Sequence, residues 1–181
     1  GMRARKSKNL TPSPIYTEYS YDGQMPIEEY NYQAIYPSQA FIQVIRYTPG
    51  ARGIDRIERQ QVNSTLLVGY PLYDAHGNNV ATLKKGSSAN TYSWPLGDQR
   101  LYDAWGVIRS GYTTGQPNPR HSANLGHLQD DESGLVYMRA RFYEPGIGRF
   151  LSQDPAMQGL NWYGYCDSNP ANKLDADGQY S

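Results

Sequence analysis

The chain has 181 residues, 17 Lys and Arg against 17 Asp and Glu, and a mean hydropathy of -0.74. A net charge of zero argues against a general binder of nucleic acid, which carries a basic surface. No apolar run is long enough for a membrane-spanning helix, which needs about 20 residues. Tyr occurs 17 times against three Phe and three Trp, beside 18 Gly and 12 Pro. That composition predicts many short strands joined by turns. Cys166 is alone, so no internal disulfide forms, and no signal-peptide pattern is visible.

In chain order, residues 3–14, RARKSKNLTPSP, read as a frayed basic leader. Beyond them Tyr16, Glu18 and Ser20 alternate with Thr17, Tyr19 and Tyr21, the two-residue period of a strand. Asp22-Gly23 turns the chain, and 27–32 returns as a second strand, which together make a hairpin. A third strand over 40–47 closes at Pro49-Gly50. Residues 54–61 fit a short helix or a strand; their alternation between turn signals favours the strand. Strands over 66–73 and 79–83 follow.

Three related turns stand out: Tyr21-Asp22-Gly23, Tyr73-Asp74 with Gly77, and Tyr102-Asp103 with Gly106. Each sets Tyr-Asp at a strand end and a Gly in the loop. The expected role of Asp is to accept backbone N–H groups while Tyr packs on the next strand. Repetition of this unit suggests a strip of hairpins rather than a closed enzyme core. Polar loops over 86–90 and 115–119 do not mark a domain boundary. One continuous β structure is expected over 15–178, with single helical turns after Asp154-Pro155 and near Asn169 to Lys173.

The last third is the most informative. Residues 131–145 read DESGLVYMRARFYEP, and 148–155 read GRFLSQDP. They are followed by Asn161-Trp162-Tyr163-Gly164-Tyr165 and Asn169-Pro170-Ala171-Asn172. This block closely resembles the Rhs repeat-associated core domain, whose usual form is E-T-G-L-Y-Y-x-R-A-R-Y-Y-D-P-x-x-G-R-F-L-S-x-D-P. The upstream Tyr-Asp turns are similar to the family's YD repeats. The resemblance extends over about residues 16–178. It implies an all-β fold, a strip of antiparallel β-hairpins curling into a C-terminal core plug at one end of a hollow shell. The division it suggests is a leader at 1–14, hairpin repeats at 15–129, the core domain at 130–178 and a tail at 179–181. The implied partners are the rest of an Rhs shell or a C-terminal toxin domain. The parent protein is then secreted or associated with the cell surface.

The resemblance also implies chemistry. The family's core domain is similar to an aspartyl protease that cuts its own chain at D-P-x-G, a spacer, then D-P-x-G-L. Asp154-Pro155-Ala156-Met157 fills the first position and Asp175-Ala176-Asp177-Gly178-Gln179 the second. The catalytic pair is then Asp154 and Asp175, with Asp177 as an alternate carboxylate, and the cut falls between Gln179 and Tyr180. Two neighbouring carboxyls divide the work of acid and base. Arg149 is the guanidinium expected to bind a carboxylate or polarise the scissile carbonyl. Met157, Ala176 and Gln179 replace the Gly, Pro and Leu of the pattern. These departures weigh toward a structural plug, for Asp154-Pro155 and Asp177-Gly178 are also ordinary turn pairs.

Other candidates carry less. Arg139 and Arg141 read as alternating on one strand face and pairing with Asp130, Asp131 or Glu132. That acidic run lacks the ligand spacing of a calcium loop. His76, His121 and His127 lack the spacing of zinc ligands, so no metal or cofactor is expected. Ser133 and Ser152 form no nucleophile elbow, and Cys166 reads as a buried, inert thiol. Three functions remain open: a scaffold that encapsulates or presents an effector, a self-cleaving aspartyl module, and glycan or cell-surface binding through exposed aromatics. Uncovered sheet edges also make self-association an expectation.

Overall fold

The computed structural model describes residues 2–8, 13–35, 38–86, 95–157 and 160–179, with Ile35 as backbone alone. The chain forms two compact units. One is Met2–Tyr70 with Leu83–Pro95, and the other is Pro71–Thr82 with Leu96–Ser181. They are called here the hairpin unit and the closing unit. Both are built of antiparallel strands, as the alternation and turn signals predict.

In the hairpin unit, β1 (Arg5–Lys8), β2 (Ile15–Asp22), β3 (Met25–Ile35), β4 (Ser38–Gly50) and β5 (Gly53–Gln61) pair successively, each with the next. The first residues of β6 (Leu67–Tyr73) pair β5 through Leu67↔Arg59, Val68↔Glu58 and Gly69↔Ile57. Along β2 the exposure alternates as read from the sequence, with Tyr19 and Tyr21 half-buried between exposed Glu18, Ser20 and Asp22. Residues 54–61 are a strand, which settles the one ambiguous element. A small core of Ile45, Tyr47, Ile54 and Ile57 forms on β4 and β5. Buried among these strands is Glu29, which accepts the hydroxyl proton of Tyr47. Burial, followed by the charge of Glu29, raises the Tyr47 phenol well above its usual range.

The basic leader needs a correction. Arg5 to Lys8 do not fray; they pair Glu18 to Ile15 as a strand. The guanidinium of Arg5 lies over the Tyr16 ring at 4.1 Å, and that of Arg3 over Tyr19 at 4.6 Å. Cation–π contacts thus recruit arginines that read as solvated charge. Residues 9–12 of the leader and 87–90 of the polar loop lie outside the described residues.

The closing unit is threaded by short strands. They are β7 (Asn79–Lys84), which starts in this unit, β8 (Leu96–Gly97), β9 (Arg100–Tyr102), β10 (Ile108–Gly111), β11 (Leu128–Gln129), β12 (Val136–Met138), β13 (Arg141–Glu144) and β14 (Arg149–Phe150). β9 pairs β10, and β11 to β14 make a four-stranded meander. The core joins Val136, Met138, Tyr143, Phe150, Tyr165 and Cys166, with Trp105 packed against it. Tyr143 sits at its centre, 4.3 Å from the Tyr165 ring centroid and 5.7 Å from that of Phe150. Its hydroxyl donates to the Trp105 carbonyl at 2.8 Å. The helical turns lie mostly elsewhere than expected, as 3-10 turns at Ala123–Leu125 and Cys166–Ser168. After Asn169 the Asn172 and Lys173 N–H groups bond its carbonyl, giving one turn there.

Two of the three Tyr-Asp turns are built alike. Asp74 Oδ1 accepts the N–H groups of His76 and Asn78, each at 2.9 Å. Asp103 Oδ1 accepts those of Trp105 at 3.0 Å and Val107 at 2.9 Å. Both loops close on Gly77 and Gly106 at positive φ. The turn at Asp22 is different, a tight hairpin through Gly23 and Gln24. The two matching loops converge on His121. Asn78 Oδ1 faces His121 Nδ1 at 2.8 Å and accepts the Ser122 N–H at 3.0 Å. Gly106 lies so close to the His121 ring that a Cβ there would collide with it. With Asn78 Oδ1 an acceptor, the His121 proton sits on Nδ1, and Nε2 accepts from the Tyr165 hydroxyl at 3.3 Å.

Candidate functional site

The closing segment, residues 175–179, lies over the turn between β12 and β13. That turn is Arg139-Ala140, with Arg139 at φ 56. Residues 136–143 are therefore two strands rather than one, and Arg139 and Arg141 do not alternate on a single face. The Ala140 N–H donates to the Asp177 carbonyl at 3.2 Å. Arg139 Nη1 donates to the Ala176 carbonyl and Nη2 to that of Leu125. Arg141 Nε donates to the Gly178 carbonyl, and Nη1 to that of Trp162 at 3.0 Å. Gly178, at φ +74, is seated where a Cβ would strike the Met138 carbonyl. Two guanidiniums and one amide thus hold three successive carbonyls, those of Ala176, Asp177 and Gly178.

The carboxylates converge on the same guanidinium. Asp154 and Asp175 are both buried, with exposures of 1% and 0%. Asp175 Oδ2 lies 3.6 Å from Arg141 Nη2. Burial lowers the Arg141 guanidinium, and the charges of Asp154, Asp175 and Asp177 push it back up, in that order. Its plane also lies 3.6 Å from the Phe150 ring centroid. Each carboxylate shapes its own turn as well. Asp154 Oδ1 accepts the Ala156 N–H at 2.9 Å. Asp175 Oδ1 accepts the N–H groups of Asp177, Gly178 and Gln179, at 3.2, 2.8 and 3.2 Å. The turn-maker role read from the sequence is thus present alongside the pairing with arginine.

Asp177 is half-buried and its Oδ1 accepts the Gln179 N–H at 3.2 Å. Gln179 is exposed, and Tyr180 lies outside the described residues. Arg149 is placed away from this point. It is exposed, donates to Asn161 Oδ1 at 3.2 Å and lies 5.8 Å from the Tyr163 ring. Arg141 is the guanidinium at the carboxylates instead. Its expected partners also differ, for Asp131 pairs with buried Arg120. The signal that points to Arg141 is the turn at Arg139-Ala140, which aims residue 141 inward.

Cys166 is buried beside the site, and burial pushes its thiol up to about 11, so it stays protonated. Cys166, Asp167 and Ser168 all have positive φ, at 53, 51 and 58. A run of three non-glycine residues in this region costs on the order of 1 kcal/mol each. The buried Tyr165–Cys166 pair and the Lys173–Asp167 ion pair hold it. Among the described residues no three His, Cys, Asp or Glu side chains are grouped to hold a metal ion.

No protein-family model matches the chain. Its sequence is similar to that of the WapA nucleases. The chain is 34% identical over 114 residues to the tRNA3(Ser)-specific nuclease WapA of Bacillus spizizenii, across 60% of this chain and 5% of that protein. It is 36% identical over 87 residues to the toxin subunit YenC2 of Yersinia entomophaga, across 47% of this chain and 8% of that one. It therefore spans a small fraction of these relatives. In fold it matches the crystal structure of TcdB2-TccC3 without the hypervariable C-terminal region, with a TM-score of 0.73 over 98% of this chain and 8% of the other, at 20% identity. The full TcdB2-TccC3 structure matches with a TM-score of 0.52. The antiparallel hairpin fold is thus one found in a toxin assembly. Among the described residues no helix is long and apolar enough to cross a membrane.

Proposed function

We propose that the chain is the closing part of an Rhs-type toxin shell, and that its last unit anchors the polypeptide leaving the shell. The observation that carries this reading is the seating of residues 175–179 on the β12–β13 turn. Arg139, Ala140 and Arg141 hold the successive carbonyls of Ala176, Asp177 and Gly178, which fixes the segment at that point. The sequence likeness to WapA and to the toxin subunit YenC2 supports it. A folded domain fused after Ser181 tests it by limited proteolysis. The account expects cuts beyond Gln179 and protection from Asp175 to Gly178. Arg141→Gln is expected to open that protected stretch, and Arg141→Lys to open it partly, because a single ammonium cannot reach two carbonyls and a carboxylate. Cleavage within 175–178 of the unmodified fusion would defeat the reading.

A second reading is self-cleavage after Gln179, favoured by the convergence of buried Asp154 and Asp175 on Arg141. In it one carboxyl directs water, the other supplies a proton, and Arg141 draws the closing strand into register. The covalent step adds water across the Gln179–Tyr180 amide. The proton leaves with the new Tyr180 amine, and the carboxylate forms on Gln179. Intact mass of the same fusion decides it. Release of the fused domain that disappears in both Asp154→Asn and Asp175→Asn establishes the peptidase, and an intact fusion excludes it.

A further inference from the structure

We propose that His127 and Arg139 form a proton-sensitive latch on the Ala176 carbonyl: neutral His127 keeps residues 175–179 seated, and a proton on His127 drives them off. The proposal deepens the anchoring reading and rests on it, because a seated segment must exist to be released.

The latch is a three-way junction. His127 has no exposed surface. Its Nε2 lies 3.2 Å from the Ala176 oxygen and 3.1 Å from Arg139 Nη1. Arg139 Nη1 donates to the same Ala176 oxygen, and Nη2 to that of Leu125. Nδ1 is buried and finds no hydrogen-bond partner among the described residues. With the ring proton on Nε2, that nitrogen and Arg139 Nη1 both donate to the Ala176 oxygen, the 3.1 Å between them is a donor–donor approach, and Nδ1 is a bare acceptor. A second proton turns Nδ1 into a buried donor with no acceptor, which is expensive to keep. It also places a cation beside the Arg139 guanidinium.

The charges around His127 favour expulsion. Burial, then Arg139, then more weakly His121, hold the imidazole down to about 3, against only the hydrogen bond to Ala176. From the closing segment, Asp175 is engaged by Arg141 and by three N–H groups, and Asp177 by the Gln179 N–H. The strain of a second proton is most readily relieved by moving the Ala176 carbonyl, the acceptor that His127 and Arg139 share. With the free ring near 6.5, linkage favours the unseated form by about 100-fold at pH 4.5 relative to pH above 7.

Hydrogen exchange of the full chain, corrected for the intrinsic rate, tests the latch at pH 7.5 and 4.5. At pH 4.5 the opening of residues 175–179 is expected to rise tenfold or more while the β12–β13 core stays protected. His127→Asn and His127→Gln, which cannot gain a proton, are expected to abolish that rise; His121→Asn, at the other buried histidine, is expected to keep it. Arg139→Gln is expected to raise opening at both pH values and to shrink the ratio between them, because the imidazole no longer sits beside a cation; a merely anchoring arginine would leave that ratio unchanged. The same rise in opening in the His127 variants, an unchanged ratio of opening between the two pH values in Arg139→Gln, or a uniform loss of protection would each overturn the latch. If residues 175–179 exchange freely at pH 7.5, it is the anchoring reading that fails.

Discussion

At the scale of single residues, the account rests on aspartates that order backbone and on glycines that let other groups in. Asp103 takes two N–H groups of its loop and the Arg109 guanidinium. Asp103→Ala leaves those donors without an acceptor and is expected to cost about 1–3 kcal/mol, read as a lower denaturant midpoint with an unchanged slope. Gly106→Ala is expected to cost at least as much, since it is strained at φ +85 and its Cβ meets the His121 ring. Gly178→Ala has a different reach. Its Cβ meets the Met138 carbonyl, so the closing segment is expected to lift while the core persists. Faster exchange at 175–179 with little change in overall stability would show it.

At the scale of elements, the repeated Tyr-Asp loops and the β-meander do separate jobs. The loops at Asp74 and Asp103 grip His121 from two sides, and the meander carries the Tyr143 core and the Arg139-Ala140 turn. Tyr143 is fully buried against Phe150 and Tyr165, so Tyr143→Ala is expected to cost about 3–5 kcal/mol. Much of this was legible in the sequence. The period-2 pattern located the hairpins, and Tyr-Asp-Gly located the loops and the role of Asp74 and Asp103. The family resemblance singled out Asp154 and Asp175, both of which the fold buries. What pattern could not show was the path of the chain between residues 138 and 141. Read as one strand, it put Arg139 and Arg141 on one face, whereas the two-residue turn brings Arg141 to Asp175. Arg5 to Lys8 escaped for a related reason: a basic, polar run has no apolar period, and its strand is held by pairing to β2 and by rings beneath its arginines.

At the scale of the whole molecule, the buried histidines make stability depend on pH. Burial lowers His121 to about 4 and His127 to about 3. An unfolded chain binds those protons near 6.5, so the unfolded state holds more protons between those values. Stability is then full above about pH 6.5 and falls as pH drops, by on the order of 3 kcal/mol per histidine at pH 4. A denaturation series from pH 8 to 4 is expected to show this decline, and His121→Asn is expected to flatten its upper part.

The central claim is that residues 175–179 are an anchored element of the fold, held by Arg139 and Arg141, from which a following polypeptide is presented. Hydrogen exchange at pH 7.5 on the chain with a folded domain fused after Ser181 measures this most directly. The account predicts slow exchange at the Asp177, Gly178 and Gln179 amides, lost in Arg141→Gln while the Val136 and Tyr143 amides stay protected. Exchange at those three amides as fast as in an unstructured peptide would contradict it.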